Sequence, residues 1–542
     1  MKSRISFVLV GIVCVGLAGT SPAEADVLYV KADAAGSGDG TTWADAYTDL
    51  QVALAVAEPG SDIWVAAGTY QPGGPGDRTA TFQLRSGIGI YGGFAGTEVS
   101  RSERSPATNL TVLSGDLNGN DLEVLEPAEL ASKSTRSDNS YHVVTGSGTN
   151  KAAVLDGVVV TGGNANGTGA GDSNGGGMTN RSGAATLINC TFEWNVASRS
   201  GGGLFNSGGA LDLVHCTFRD NHVIGSSQQD TGGAGLCNFS ASPTVTGCTF
   251  SRNTSDSRGA GMYNQSAAPT ISQCIFEDNA VLGNYGTSIG GGMLNAFGGS
   301  NADVRQCVFT GNSAPFGGGM FNGTNSGPTI SQCLFNWNRA VHATAGIGGG
   351  MQNWESQPTV INCTFSENTA VDWAGGLGAQ AGASPIVANC IFWGNSAARP
   401  GQVGGPNASI VSYSCVQGGL AGDGNIDTDP HFADPQNGDY RLKSQTGRWD
   451  PLGESWTQDD ITSPCIDGGD PMSPIDLEPF PTGGFVNMGA YGGTPQASKP
   501  YFGHQAPCES IVAGDLNGDC QVDRADLAIM ALHWTDPEPM QP

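Results

Sequence analysis

The sequence predicts an all-β fold, a right-handed single-stranded parallel β-helix, ending in a small calcium-loop and helix segment. Three observations carry that expectation. The chain holds 84 Gly in 542 residues, with charged residues at only 13%. A short phrase recurs eight times at a spacing too long for a strand and too regular for chance. Within each recurrence the apolar positions are two or three apart, which suits short strands separated by bends and not helices.

The recurrent phrase is Cys-x-Phe-x-x-Asn. Its Cys and Asn members are Cys190/Asn195, Cys216/Asn221, Cys248/Asn253, Cys274/Asn279, Cys307/Asn312, Cys333/Asn338, Cys363/Asn368 and Cys390/Asn395, with Phe192, Phe218, Phe250, Phe276, Phe309, Phe335, Phe365 and Phe392 between them. Upstream of each stands a Gly-rich run ending in Met178, Leu204, Leu236, Met262, Met293, Met320, Met351 or Leu377. The distance from that residue to the following Cys barely changes, and the insertions fall between the Asn and the next Gly run. A fixed frame with one elastic loop is the mark of a solenoid. Cys274 and Phe276 share a strand face, as do Met262 and Asn264, while the aliphatic residue three before each Cys implies a bend. Each repeat should therefore supply about three strands. Gly clusters and Pro243, Pro269, Pro328, Pro358 and Pro385 exclude a helical repeat.

Stacking such coils about 4.7–4.9 Å apart places like on like. Phe, Met and Asn should form ladders, the Asn amides bonding to one another and to turn backbone. The eight ladder Cys should stay free, because stacked Cβ atoms lie farther apart than the roughly 3.5–4.5 Å a disulfide needs.

With these residues in view, the run Gly-Gly-[Ala/Gly]-[aliphatic/Met] followed by Phe-x-x-Asn, over 175–395, resembles the repeat of chlamydial polymorphic outer membrane proteins. That resemblance implies a right-handed β-helix and an adhesin role, although this chain shows no membrane β-barrel pattern after the repeats. Ile63 to Tyr70 resembles the opening strand of bacterial pectate-lyase-like β-helix proteins.

The remaining segments frame the repeats. Lys2 and Arg4, an apolar run from Ile5 to Leu17 and Ala23-Glu24-Ala25 read as a signal peptide over 1–25. The expected mature chain starts at Asp26, is secreted or displayed at the cell surface, and has no membrane span. Residues 26–174 should form an N-terminal cap and first coils, with Trp43–Tyr47 and Leu50–Val56 as one amphipathic helix over the open end. Residues 175–412 are the regular repeats, 413–495 the terminal coils and C-terminal cap, and 496–507 a linker. Cys415 and Cys465 lie outside the ladder and could pair across the cap.

The last segment, 508–542, carries the loop Asp515-Leu516-Asn517-Gly518-Asp519-Cys520-Gln521-Val522-Asp523-Arg524-Ala525-Asp526. Asp515, Asn517, Asp519, Asp523 and Asp526 offer oxygens at positions 1, 3, 5, 9 and 12, and Gln521 its carbonyl at 7, the spacing by which such a loop wraps Ca²⁺. Cys520 stands where Gly is usual, and Cys508 could pair with it. The pattern resembles one half of a type I dockerin, which implies a cohesin-like partner. Asp116-Leu117-Asn118-Gly119-Asn120-Asp121 echoes the loop without its later ligands and reads as an Asx-rich turn.

Function is less legible. A net charge of −27 makes nucleic acid an unlikely partner. Extracellular polysaccharide or a cell-surface protein fits better, with Trp194, Trp337, Trp373 and Trp393 as candidates for sugar stacking. The leading expectation is a glycan-binding or adhesive scaffold. The alternative is a polysaccharide lyase or glycoside hydrolase, for which Asp220, Arg252 and Asp278, at equivalent places on successive coils, are the available catalytic candidates.

Overall fold

A computed structural model describes residues 26–502, apart from 170, 226–230, 285 and 406–409, together with 522, 524 and 527. The signal-peptide stretch and the six calcium-loop residues Asp515, Asn517, Asp519, Gln521, Asp523 and Asp526 lie outside the described residues, as do Cys508 and Cys520.

The chain winds through about eleven turns of a parallel β-helix. One coil shows the plan: strands Met262–Gln265, Thr270–Ser272, Ile275–Glu277 and Ala280–Val281 follow one another and each pairs in parallel with its counterparts one coil away. Four sheets result, here numbered I to IV in that order. Sheet I has 11 strands, sheet II 13, sheet III 12 and sheet IV 8. The three strands per repeat expected from the sequence are thus four. The fourth is only two residues long in the regular coils, too short to leave a periodic signal.

Each coil turns at left-handed residues. In the same coil Gly259, Ser266, Gln273 and Asp278 have φ of 49°, 50°, 56° and 51°. The bend inferred between the aliphatic residue and Cys is therefore a single αL residue, Asn189 through Asn389 in successive repeats. Such a residue reverses the strand face, so both flanking apolar side chains point inward.

The interior is filled by ladders. The eight Phe rings from Phe192 to Phe392 stack at centroid separations of 4.6–5.0 Å with planes within 7°. The ladder Cys are buried free thiols, and burial pushes Cys333 and Cys363 well above the ordinary thiol range, so they behave as small apolar groups. Asn279 donates from Nδ2 to Asn312 Oδ1 (2.9 Å) and to the Phe250 carbonyl (2.8 Å), and the pattern repeats along the column. A second column, Asn180 to Asn353, runs inside sheet I.

The N-terminal end is closed by helix α1 (Leu50–Val56), which buries Leu50, Ala53 and Leu54 against Val30 and Ile63. The expected helix over Trp43–Tyr47 does not form. Asp39 and Asp45 hold the preceding stretch in turns by accepting from Ser37, Thr41 and Thr42, and this local bonding competes with a helix. Trp43 instead packs edge-on against Tyr29 at 4.8 Å. α1 starts only where Asp49 caps the Gln51 N–H.

At the other end Asp439–Leu442 pairs antiparallel with Phe432–Asp434 instead of adding a coil. The segment beyond folds back along the outside of the solenoid, where Asn362 donates to the Asn487 carbonyl, Gln332 to the Gly492 carbonyl, and the Ala490 N–H to Thr364 Oγ1. Its hydrogen bonds continue to Lys499, into the stretch read as linker. Cys415 and Cys465 meet in the core beneath this cap as free thiols. No described helix is long and apolar enough to cross a membrane.

Candidate functional site

Strand alternation decides what sheet I shows to the outside. Met262 and Asn264 point inward, so the residue between them points out. That outward column reads Thr179, Phe205, Cys237, Tyr263, Leu294, Phe321, Gln352, Gly378. Phe205, Cys237, Tyr263, Leu294 and Phe321 are nevertheless at most 8% exposed. The elastic connections between sheets IV and I fold over them, and Ile289 and Phe316 from these connections join them in a second apolar cluster outside the solenoid.

This cover opens into a groove of about 290 Å³. Phe297, Phe316, Phe321 and Trp354 supply aromatic faces, Gln352, Gln380, Thr287 and Thr324 supply polar groups, and Arg258 is the charged residue of the lining. Trp354 is 42% exposed, which leaves its ring open to a ligand. Gln352 is buried, donates to Gln380 Oε1 at 3.4 Å, and keeps a buried Oε1 without a hydrogen-bond partner among the described residues. The Thr287 Oγ1 is likewise unpartnered. Arg258 lies beneath Phe297, 5.6 Å from its ring centroid. Flat aromatic faces beside unsatisfied amide and hydroxyl groups can hold a polar ring with two apolar sides.

The candidates named from sequence lie elsewhere and do not converge. Trp194, Trp337, Asp220, Arg252 and Asp278 all occupy the left-handed corner before the Asn column, with φ of 49–55°. Arg252 grips Asp220 with both prongs, Nε to Oδ1 at 2.8 Å and Nη2 to Oδ2 at 2.5 Å, so both oxygens of that nearly buried carboxylate are engaged. Asp278 is exposed on the next coil. Arg252 is held above its ordinary value, first by the bond to Asp220 and then by Asp278 and Glu277. Among these three residues the geometry is a charge ladder with one committed ion pair. Trp194 packs beside Val124 and Leu130, Trp393 against the C-terminal cap, and Trp373 under the Arg399 guanidinium at 4.2 Å. Trp337 is 42% exposed. Phe297 and Phe316 were missed because they come from a turn and a loop outside the fixed frame, and Trp354, the last residue of strand Met351–Trp354, because its position changes residue type from coil to coil. Phe321 could have been found, since its column is the outward position between two inward ones.

A family model described as right handed beta helix region matches residues 143–335, and one described as disaggregatase related matches residues 407–469. No curated protein matches the chain. Solved structures similar to it include the pectate lyase Pel9A, 15% identical, covering 86% of this chain and 95% of that one at a TM-score of 0.40. A Dettilon tailspike protein is 12% identical over 70% of this chain and 68% of its own, with a TM-score of 0.35. A rhamnogalacturonan lyase is 10% identical over 81% and 96%, with a TM-score of 0.28. The coils, their parallel pairing and the matching family model make the chain a right-handed parallel β-helix.

Proposed function

We propose that the protein is a secreted or cell-surface scaffold that binds glycans through the groove on sheet I. The observation that carries this reading is the exposed Trp354 ring beside the buried Gln352 amide with its unmet acceptor. A sugar presents axial C–H groups to an aromatic face and hydroxyls to amides, so Trp354 would stack on one ring while Gln352, Gln380 and Thr324 bond its edges. The rigid coils hold these side chains in place without help from the ligand, which lowers the ordering cost of binding.

The C-terminal loop complements this role. Asp515, Asn517, Asp519, Gln521, Asp523 and Asp526 would hold Ca²⁺, and the ordered segment would offer a docking surface to a cohesin-like or other cell-surface protein. The protein would then be a rod with a glycan-binding flank and an anchoring tail.

The test is retention of the chain from residue 26 on a panel of immobilised polysaccharides, with Trp354→Ala and Gln380→Ala variants. Retention on at least one polysaccharide, weakened tenfold or more by Trp354→Ala, is expected. Retention untouched by that change, or none on any polysaccharide, overturns the groove assignment. Release of reducing or unsaturated ends that disappears in Asp220→Ala or Asp278→Ala would replace binding with degradation.

A further inference from the structure

The long connection between strands Thr111–Ser114 and Val144–Thr145 gathers oxygen donors from two places in the chain. Asp116, Asn118, Asn120 and Asp121 lie on a loop that turns at Gly119, whose φ of 64° suits a residue without Cβ. Asp138 and Asn139 come from the end of the 3-10 helix Ser134–Asp138. The Asp116 carboxylate accepts the Asn120 and Asp121 N–H groups at 3.1 and 2.9 Å, curling the loop around it. Asn120 Nδ2 reaches Asp138 Oδ2 at 3.1 Å, and Asn118 Nδ2 contacts the same oxygen. Asn139 Nδ2 and Arg136 Nη1 both bond Asp121 Oδ2, at 2.8 and 2.9 Å.

Those bonds bring the groups together; the unsatisfied atoms point to a ligand. Asn139 is 0% exposed, its Nδ2 rests on Asp121, and its Oδ1 has no partner. Asp121 Oδ1 and Asp138 Oδ1 are also buried and unpartnered. Buried acceptors without donors call for a cation or water. Three carboxylates offset by Arg136 leave a charge of −2, matched by one divalent ion. Among the described residues no three His, Cys, Asp or Glu are grouped as a metal site. The donors here are a mixture of carboxylates and amides, which suits the hard, oxygen-only coordination of Ca²⁺ and not that of zinc.

We infer that Asp116, Asp121 and Asp138, with amide oxygens of Asn118, Asn120 and Asn139, form a Ca²⁺ site separate from the tail. The two amides now donating to one oxygen of Asp138 become ligands by a half-turn that exchanges N for O. The ion ties both ends of the connection to each other. The connection in turn lies on sheet IV, where Val124 and Leu130 pack on Val196 and Arg136 donates to the Trp194 carbonyl at 2.8 Å. Ca²⁺ therefore clamps this flap onto the side of the solenoid.

The experiment uses the chain from residue 26 with the tail loop silenced by Asp515→Ala, Asp519→Ala and Asp526→Ala, stripped with EGTA. Calorimetric titration with CaCl₂ should show one equivalent bound, and Ca²⁺ should slow protease cleavage within 117–137 at least tenfold. Adding Asp116→Asn and Asp138→Asn should abolish both effects while the β-sheet circular dichroism is kept. Persistence of the bound equivalent in that variant overturns the assignment. Should the variant fail to fold, the silenced parent decides: no uptake, or cleavage at equal rates in EGTA and Ca²⁺, overturns it as well.

Discussion

Asn279 has no access to water, and four hydrogen bonds run through its amide. It accepts from the Asn253 N–H and Nδ2 at 3.2 and 2.9 Å, and donates to Phe250 O and Asn312 Oδ1. Truncation to Ala would take a hydrogen-bond partner from donors and acceptors on the two neighbouring coils, at about 1–3 kcal/mol for each group left buried without one. Asn279→Ala should therefore lower stability by roughly 3–5 kcal/mol in urea unfolding. Because coils contact only their neighbours, hydrogen exchange should quicken first around 248–312. An unchanged urea midpoint would show that the ladder is decorative. This column was legible in the sequence because one residue type repeats at a fixed offset from Phe. The neighbouring outward positions carry no such repetition, so the groove was not.

The elements owe their shape to corners. Trp194, Asp220, Arg252, Asp278, Gly311, Trp337, Glu367 and Gly394 occupy one corner in successive coils, all at positive φ. The backbone there demands a left-handed residue and most of these side chains lie at least partly in solvent, so acids, bases, tryptophans and glycines all occur. That explains why acids at this position looked like a catalytic row in the sequence. At φ 55°, Trp337 carries a strain that Gly would relieve and a β-branched residue would worsen. Trp337→Gly should change stability by no more than about 1 kcal/mol in either direction, whereas Trp337→Val should cost roughly 1–2 kcal/mol. Thermal melts of the two variants check this; equal melting temperatures would contradict a backbone role. Glycan retention undiminished in Trp337→Gly would also remove this residue from the candidates for sugar stacking. The same local logic defeated the reading of a helix from Trp43, where Asp and Thr side chains satisfy the backbone in turns before a helix can start.

For the whole molecule, the C-terminal cap is the long-range element. It spans several coils from the side, through contacts between residues more than a hundred positions apart, such as Asn362 with Asn487 and Thr364 with Ala490. No periodicity announces such contacts, and the sequence indicated only where the repeats decay. The cap also contains a titratable lock. Glu478 Oε1 accepts the Asn487 and Gly493 N–H groups, both at 2.8 Å. Burial nonetheless pushes its carboxyl up from 4.5 to about 7, with Asp467 and Asp476 adding repulsion and the two N–H bonds opposing. A carboxyl whose pKa is raised by folding binds its proton more tightly in the folded cap than in the unfolded chain. Its contribution is fully present below pH 4.5 and is lost as pH rises through about 7. Asp467, raised by its own burial, acts in the same sense. The cap should therefore loosen between pH 4.5 and 8, by an amount on the order of 2 kcal/mol after allowing for solvent screening. Glu478→Gln keeps an acceptor for both N–H groups but cannot ionise. It should flatten the pH dependence of cap unfolding, followed by Trp449 and Trp456 fluorescence against hydrogen exchange in the coils. A cap that tightens with rising pH in the parent, or an equally steep profile in Glu478→Gln, would assign the coupling to other groups.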